Sequence, residues 1–282
     1  MTNPASLPEG LVAHLEALGR GPGQLVVMTG AGLSAESGIP TFRGEEGYWT
    51  VGAKEYHPQE MATLSMFSAR PEEVWAWYLY RRTVCRGASP NAGHEAVVRM
   101  ERALGDRFLL ITQNVDGLHL RAGNTLERTY QIHGNIDFAR CARECGAPLW
   151  PLPDDLPAKG KGKPLVDDER RRLRCPSCGG WARPHVLWFD ECYDEEHFRF
   201  QSSLRAASEA RMLLVVGTSG ATNLPRQVGQ VALASGATIV DINPEPNPFS
   251  LMAERAPGGF FLEGGGGTML PPIAELLAST GA

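Results

Sequence analysis

A glycine-rich stretch near the amino terminus, GAGLSAESGIPTFRG (Gly30 to Gly44), contains the residue types that bind a phosphate group. It follows the apolar run Leu25 to Met28, which has the composition of a buried strand. A strand that ends in a glycine turn and leads into a helix directs backbone N–H groups and the positive end of the helix dipole to one point. Gly30, Gly32 and Ala35 match the G-x-G-x-x-G/A pattern of dinucleotide-binding turns, a pattern that turns without a ligand also share.

The residues after this turn differ from those of an ordinary dinucleotide-binding unit. Such a unit continues into a second strand that ends in an acidic residue about 20 positions later, and no such strand is visible here. Gly38 and Pro40 instead predict an early end to the helix. The loop Thr41 to Gly44 then brings one aromatic ring and one guanidinium next to the phosphate site. A loop that covers the nucleotide suits an enzyme that cleaves its cofactor better than one that transfers a hydride.

Polar residues follow the apolar run Phe108 to Thr112, which has the composition of a strand buried on both faces. They are Gln113, Asn114 and Asp116. Asparagine and aspartate are typical turn residues, but ligands also bind at the carboxyl ends of parallel strands in doubly wound folds. These residues are therefore candidates for ligand contact.

His133 follows another short predicted strand, Thr129 to Ile132. A histidine at a strand end is often only a hydrogen-bonded surface residue. An imidazole titrates near neutral pH, however, so it can also accept a proton as a general base without help from a metal.

Four of the six cysteines form two close pairs, Cys141-x3-Cys145 and Cys175-x2-Cys178. Each short spacing allows one turn to direct two sulfurs at the same metal, which is typical of a closed tetrahedral zinc site. A site with four thiolate ligands has no open position for a substrate. The sequence therefore predicts one structural zinc ion and a reducing compartment, with Cys85 and Cys192 outside the site.

Three of these motifs together resemble the sirtuins, which are NAD-dependent protein deacylases. They are GAGLSAESGIPTFRG, TQNVDGLH (Thr112 to His119) and the pair His133-Gly134, and they spread over much of the chain. The resemblance implies NAD as cofactor and His133 as the catalytic base. It also implies that the acyl-lysine carbonyl attacks the nicotinamide ribose while His133 draws a proton from a ribose hydroxyl. The products would be lysine, nicotinamide and O-acyl-ADP-ribose.

The resemblance also assigns nucleotide contacts along the strand ends. Asp116 would receive the nicotinamide carboxamide together with Ala31 and Ile39, and Asn243-Pro244-Glu245 would lie at the adenosine ribose. The full set of implied cofactor-binding residues is Gly30, Ala31, Gly32, Ser34, Ala35, Glu36, Ile39, Pro40, Thr41, Phe42, Arg43, Gln113, Asn114, Asp116, Gly217, Thr218, Ser219, Asn243, Pro244 and Glu245.

A tyrosine and an arginine three residues apart, Tyr78 and Arg81, lie in a predicted helix. They share one face, so a hydroxyl and a guanidinium can bind one carboxylate together. Without other context, Tyr78 would be a core residue and Arg81 the partner of a surface acid. The sirtuin branch that removes dicarboxylic acyl groups has the same Tyr-x-x-Arg spacing, which favours a desuccinylase or demalonylase. Val186 and Phe189 are expected to line the channel for the acylated lysine.

Two segments depart from the family pattern where the substrate peptide would bind. Asp190 stands where the family has the glycine of Phe-Gly-Glu, and Gly220 to Asn223 replaces a segment that usually carries valine. The family pairs the substrate backbone with these segments as an added strand. A charge at Asp190 brings the register, or even the use, of a peptide into question.

The elements that position these residues follow from periodicity. Helices are predicted over Leu7 to Leu18, Pro58 to Arg86, His94 to Leu104 and Arg226 to Ala234, with a closing helix after a flexible four-glycine turn. Further strands are predicted at Met212 to Val216, Thr238 to Ile242 and Phe260 to Leu262.

The order of these elements predicts an α/β fold, a Rossmann-like parallel sheet with helices on both faces, plus a small zinc-binding module and a helical insertion. The predicted NAD-binding domain comprises residues 1–45, 95–138 and 182–282. Residues 46–94 form the helical insertion and residues 139–181 the zinc-binding module.

The composition excludes several other classes of protein. The chain has 282 residues, 43% of them hydrophobic, and a formal net charge of -5, which gives no general attraction to nucleic acid or anionic membranes. It has no signal peptide pattern at the start and no run of 18 apolar residues. We therefore expect a cytoplasmic protein that acts on acylated-lysine proteins or peptides, without specific nucleic acid or membrane partners.

Two other functions fit the same residues. The departures at Asp190 and Gly220 to Asn223 favour ADP-ribosyl transfer or NAD hydrolysis if they prevent peptide binding. A nucleotide-sensing or scaffold protein with an inert site is the third possibility. Deacylation, with succinyl or malonyl groups as the favoured substrates, is the primary prediction because the carboxylate-binding pair and the catalytic motifs occur together.

Overall fold

The computed structural model describes residues 7–40, 49–51 and 54–280. The predicted contacts of Thr41, Phe42 and Arg43 therefore lie outside the described residues. The strands are β1 (Gln24–Thr29), β2 (Trp49–Val51), β3 (Lys54–Tyr56), β4 (Phe108–Thr112), β5 (Thr129–Gln131), β6 (Gly134–Cys141), β7 (Trp150–Pro151), β8 (Ala182–Val186), β9 (Ala210–Val216), β10 (Thr238–Asn243) and β11 (Phe260–Glu263). The helices are α1 (Glu9–Arg20), α2 (Ala31–Ala35), α3 (Pro58–Met61), α4 (Leu64–Ala69), α5 (Pro71–Gly87), α6 (Ala92–Leu104), α7 (Leu118–Ala122), α8 (Asp167–Arg172), α9 (Glu195–Phe198), α10 (Phe200–Glu209), α11 (Asn223–Ala234), α12 (Pro248–Arg255) and α13 (Gly266–Thr280).

A six-stranded parallel sheet forms the centre of the molecule, in the order β11-β10-β9-β1-β4-β5. Strand β1 lies between β9 and β4, with Val27 opposite both Leu110 and Leu214. The strand order reverses at β1, and ligands of doubly wound sheets bind at such a reversal, outside the carboxyl ends of the strands. The predicted Rossmann-like sheet is confirmed.

Both faces of this sheet are buried, because successive residues of a strand point to opposite sides. On β1, Leu25 and Val27 pack with apolar residues of α1, α6 and α13. Val26 and Met28 point the other way and pack with α10, α11 and α12. The continuous apolar runs in the sequence thus correspond to strands that have helices on both sides.

A second core joins the small sheet to the helices of the insertion. Strands β7, β6 and β8 form an antiparallel sheet, and its apolar residues share one cluster with those of α3, α4 and α5. The Trp75 indole on α5 donates to the Ala182 carbonyl of β8 at 2.8 Å. Residues 182–186, which the sequence analysis assigned to the NAD-binding domain, form β8 and pair with β6 in this small sheet.

The helical region between residues 58 and 87 is divided, although its periodicity predicted one continuous helix. The Thr63 hydroxyl accepts from the Met66 amide and so begins α4 at Leu64, while Pro71 is the first residue of α5.

The prediction of a flexible turn at the four glycines before the last helix is wrong in part. Helix α13 begins at Gly266, and the Glu36 carboxylate accepts from the Gly267 amide at 3.0 Å. Among the described helices, none has the length and apolar character needed to cross a lipid bilayer.

Candidate functional site

The glycine turns after β1 and β9 lie against each other at the carboxyl edge of the sheet. The Gly30 amide donates to the Val216 carbonyl at 2.9 Å, and the Gly32 amide donates to the Gly217 carbonyl at 2.8 Å. A Cβ on Gly30 would lie 2.7 Å from the Gly217 oxygen, and one on Gly32 would lie 2.8 Å from the Gly217 Cα. The glycines are therefore required by this close approach of two turns. The backbone of Gly30 is extended, with φ at -126°, whereas Gly217 has a left-handed φ of 62°.

Amide side chains connect the ends of three strands. The Gln113 amide after β4 donates to the Thr218 hydroxyl after β9 at 2.9 Å. The Asn243 amide at the end of β10 donates to the Thr218 carbonyl at 3.3 Å and to the Asp241 carboxylate at 2.9 Å. Asp241 is fully buried, and burial raises its pKa to about 6 despite hydrogen bonds from Asn243 and Asn247. No local pattern indicated that Asp241 orients the Asn243 amide.

A second group of polar side chains surrounds the start of α2. The Asn114 amide donates to the Gly30 carbonyl and to the Ser34 hydroxyl, both at 3.0 Å. The Asp116 carboxylate accepts from the Leu118 amide at 2.8 Å. Burial raises the pKa of Asp116, although the Leu118 amide and the Ser34 hydroxyl act in the opposite direction. The structure thus brings Ser34, Asn114 and Asp116 together beside the first glycine turn.

The other residues predicted to bind the nucleotide are distributed around the same edge of the sheet. The Glu36 carboxylate accepts from the first turn of α13, and Ile39 belongs to the second core, which joins the small sheet to the insertion. The remaining described candidates are exposed: Ala31, Ala35, Pro40, Ser219, Pro244 and Glu245. The edge therefore combines two glycine turns, buried amide side chains held by hydrogen bonds, and exposed residues around them. This arrangement fits a dinucleotide laid across the strand ends.

The His133 imidazole is held through both ring nitrogens. Its Nδ1 lies 3.0 Å from the Gln113 carbonyl oxygen, which can only accept, so Nδ1 carries the hydrogen. Nε2 is then the basic nitrogen, and it lies 2.7 Å from the Tyr193 hydroxyl oxygen. The ring is partly exposed, and the protein atoms packed around it lower its pKa to about 4 despite the Gln113 hydrogen bond. His133 is therefore neutral at physiological pH, which is the state that a general base requires.

Gly134 brings His133 next to strand β8 of the small sheet. Its φ is 84°, and a Cβ there would lie only 2.0 Å from the His185 carbonyl oxygen. The Leu187 amide donates to the His133 carbonyl at 3.0 Å, which continues the pairing of β8 with β6 past Val186. Strand β8 is thus fixed beside the catalytic candidate. Val186 is buried there and Phe189 is largely exposed.

Tyr78 and Arg81 are both buried on α5. The Trp188 indole donates to the Tyr78 hydroxyl oxygen at 2.8 Å, so the Tyr78 hydrogen is directed elsewhere. Burial raises the pKa of Tyr78, and the charge of Arg81 is near enough to oppose that effect. The Arg81 guanidinium also lies 5.4 Å from the centroid of the Trp77 ring. The tyrosine is therefore a protonated donor with a cation beside it.

The position of Trp188 depends on a buried ion-pair network. Both Glu191 oxygens accept from Arg183 at 2.6 Å, and one of them also accepts from the Trp188 amide at 3.0 Å. The Arg183 guanidinium lies over the Trp188 ring, 3.7 Å from its centroid. The network joins the small sheet to Tyr78 through Trp188. Arg183, Trp188 and Glu191 are close in sequence, but Tyr78 is far from them in the chain, so no local pattern indicated this connection.

Asp190, which the sequence suggested as an obstacle to a peptide, caps a helix. Its carboxylate accepts from the Leu64 amide at 2.6 Å and from the Ser65 amide at 3.0 Å, at the start of α4. Burial opposes ionisation of Asp190, but these amides outweigh it and lower the pKa. The neighbouring Phe189 amide donates to the Ala62 carbonyl at 3.0 Å. The aspartate thus attaches this segment to the helical insertion.

The four cysteine sulfurs lie within 4.8 Å of one another. The Cys141 and Cys178 sulfurs are 3.6 Å apart, and so are those of Cys145 and Cys175. Four sulfurs at a Zn–S distance of about 2.3 Å from one tetrahedral ion are about 3.8 Å apart, so these thiols fit one zinc ion. Cys85 is elsewhere in the core, where burial raises its pKa to about 12.

These features define a class: a Rossmann-type nucleotide-binding protein with a cysteine-based zinc-binding module. The Sir2 family profile matches residues 30–223. An NAD-dependent protein deacylase of Leptospira interrogans is 40% identical over 257 residues, 90% of this chain and 93% of that protein. One of Thermus thermophilus is 41% identical over 255 residues, 89% of this chain and 91% of that protein.

Solved structures give the same result. A Sir2 homologue in complex with NAD superposes with a TM-score of 0.78 at 30% identity, over 100% of this chain and 98% of that one. A mutant Sir2 homologue in complex with 2′-O-acetyl ADP ribose superposes with a TM-score of 0.76 at 32% identity, over 97% of each chain. The chain belongs to the Sir2 family.

Proposed function

We propose that the protein is an NAD-dependent protein-lysine deacylase that prefers acyl groups ending in a carboxylate, as in succinyl- and malonyl-lysine. The observation that carries the preference is the buried pair of Tyr78 and Arg81. A guanidinium beside a phenol donor can bind a carboxylate through charge-assisted hydrogen bonds, which a neutral acetyl or long alkyl group does not form. Membership of the Sir2 family and the deacylase relatives support the underlying activity.

In this proposal, the strand ends hold NAD and His133 moves the proton. Gln113, Asn114 and Asp116 would orient the nicotinamide ribose and its carboxamide, and Asn243 the adenosine ribose. When bound, NAD supplies the ribose carbon that accepts the acyl oxygen as nicotinamide leaves. His133 Nε2 would take a ribose hydroxyl proton, because the Gln113 carbonyl holds the hydrogen of the neutral ring on Nδ1, and the same carbonyl accepts from Nδ1 in the imidazolium that forms. The surrounding protein excludes water from the reacting carbon.

The test is to incubate the protein with NAD and matched acetyl-, succinyl- and malonyl-lysine peptides, and to measure nicotinamide release and acyl loss separately. We expect acyl loss in step with nicotinamide release, with higher kcat/KM for the two acidic acyl groups. Nicotinamide release without acyl loss from any peptide would favour NAD hydrolysis or ADP-ribosyl transfer instead. The helix-capping contacts of Asp190 give those alternatives no added support, because its carboxylate is already engaged by α4.

The pH dependence of kcat/KM for NAD should report the lowered pKa of His133. This quantity follows ionisations of the free enzyme, and the base is active when neutral. Because the pKa lies near 4 instead of 6.5, His133 stays neutral as the pH falls from 7 to 6. We expect the His133-dependent acid limb to lie well below pH 6.5. A midpoint at 6.5 or above that disappears in the His133→Ala protein would contradict this assignment.

Loss of the zinc should unfold the small sheet and, through it, reduce activity. Structural zinc sites contribute several kcal/mol to folding, so Cys175→Ser or chelation should lower the melting temperature by about 10 °C or more. Cys192→Ser is the control, because this exposed cysteine is outside the four-sulfur cluster. Metal content and thermal melts are measured in parallel. An unchanged melting temperature in metal-free protein would show that the cluster has no structural role.

A further inference from the structure

The basic nitrogen of His133 already has a hydrogen-bond donor within the chain. The Tyr193 hydroxyl oxygen lies 2.7 Å from Nε2, and Nδ1 carries the ring hydrogen, so the phenol O–H donates to Nε2. A neutral imidazole has one lone pair in its plane. While Tyr193 occupies it, no other hydroxyl can give its proton to His133.

The position of Tyr193 is fixed by its surroundings. Its ring stacks on Phe200 at a centroid distance of 6.4 Å and lies 5.8 Å from the His133 ring. It is partly buried, and burial raises its pKa to about 12, although the nearby Thr222 hydroxyl acts in the opposite direction. The phenol is therefore protonated and remains a donor at neutral pH.

The same phenol has a second neighbour from another part of the chain. Thr222 lies in the segment Gly220 to Asn223, and its hydroxyl donates to the Gln113 side-chain oxygen at 3.1 Å. The Gln113 backbone oxygen in turn accepts from His133. Three hydrogen bonds thus connect these segments, from Tyr193 to His133, from His133 to the Gln113 backbone and from Thr222 to the Gln113 side chain. Because the Thr222 hydrogen is directed at Gln113, its oxygen can accept the phenol hydrogen when Tyr193 leaves Nε2.

We propose that Tyr193 is a positioning residue that holds His133 in the neutral form with hydrogen on Nδ1 and occupies Nε2 until a ribose hydroxyl replaces it. The phenol keeps its proton and then turns its O–H toward the Thr222 oxygen. The inference rests on the proposed role of His133. It connects the two segments that depart from the family pattern, since Tyr193 follows Asp190 closely and Thr222 lies in the other segment. Nucleotide binding must then break the hydrogen bond between Tyr193 and His133, and the free energy of that bond is subtracted from the affinity for the nucleotide.

The test is Tyr193→Phe, which removes the hydroxyl and keeps the ring that stacks on Phe200. Loss of a donor to neutral Nε2 should raise the pKa of His133 by about one unit, measured by NMR of ring-labelled, nucleotide-free protein. Loss of the competing hydrogen bond should tighten ADP-ribose binding by about threefold to tenfold in calorimetry. Tyr130→Phe is the matched control, with an equal loss of one phenol oxygen and no expected change in either quantity.

Each outcome bears on the inference. An unchanged His133 pKa and an unchanged ADP-ribose Kd would overturn it and leave Tyr193 with a packing role. A kcat that falls at least tenfold with an unchanged Kd would also overturn it, because the phenol would then be a proton relay. The wild-type protein gives an independent check, since ADP-ribose should shift the Nε2 signal of His133. These readouts need no deacylation, so a failure of the proposed function is seen separately, in the peptide assay.

Discussion

Replacement of His133 by alanine should lower kcat for deacylation by about 10²-fold to 10⁴-fold, the range that general bases contribute. The physical reason is the geometry of the imidazole. The Gln113 carbonyl fixes hydrogen on Nδ1 and leaves Nε2 as the basic atom beside the strand ends. Alanine keeps the backbone that pairs with Leu187 but offers no atom to accept a proton. The measurement is single-turnover acyl transfer from a succinyl-lysine peptide at saturating NAD.

A matched control uses His14, a partly exposed histidine on α1 that contacts Phe260. His14→Ala should keep wild-type turnover. ADP-ribose binding by the His133→Ala protein is measured as well, because a variant that still binds the nucleotide has lost chemistry and not the site. If the His133→Ala protein retained turnover within a factor of two, another group would be the base. If the wild-type protein also lacked turnover while binding nucleotide, the sensor or scaffold hypothesis would gain support.

The second large effect concerns the choice of acyl group. Arg81→Met should lower kcat/KM for succinyl- and malonyl-lysine peptides by about 10²-fold or more, while acetyl-lysine turnover stays within a few-fold. Methionine retains an unbranched side chain of similar reach in the buried position but has no charge to bind a carboxylate. The neighbouring Tyr78 keeps its hydrogen bond from Trp188, so the remaining wall is preserved. Competition between the three peptides in one reaction measures the change in preference directly.

Arg171→Met is the control for loss of one positive charge. Its side chain is 71% exposed and pairs with Asp168 on α8. It should leave the ratio of succinyl to acetyl turnover unchanged. A fall of both succinyl and acetyl turnover in the Arg81→Met protein, in proportion, would mean that Arg81 supports the fold or the nucleotide and does not select the acyl group. Unchanged succinyl turnover would remove the carboxylate-binding proposal altogether.

Much of the sheet could be predicted from local pattern. The bounds predicted for β4 coincide with those observed, and β1, β9 and β10 differ by at most two residues at an end. Continuous apolar runs of this length can only be buried on both faces, which requires helices on both sides. The division of residues 58–87 into three helices was not predicted, because its apolar periodicity continues across the cap at Thr63.

The candidate site was predictable to a different extent. The cysteine spacing predicted the four sulfurs that lie together. Each pair is already local in sequence, so the fold has only to bring the two pairs next to each other. The reason for Gly30 and Gly32 was not available from spacing. The sequence indicated room for a phosphate, whereas the structure shows contact with the turn at Gly217. The capping contacts of Asp190 were likewise not predictable, because their partner at the start of α4 is far away in the chain.

The sequence alone determined a parallel α/β sheet with a glycine turn, a four-cysteine site and a histidine at a strand end. These features follow from hydrophobic periodicity, composition and short residue spacing, which involve only a few neighbouring residues. Only the tertiary structure decided what touches that histidine. Tyr193, Thr222 and Gln113 come from three separate segments, and their hydrogen bonds exist only once the sheet order and the position of β8 are fixed. Hydrogen bonds between segments distant in the chain depend on geometry to within tenths of an ångström, and no local pattern encodes that geometry.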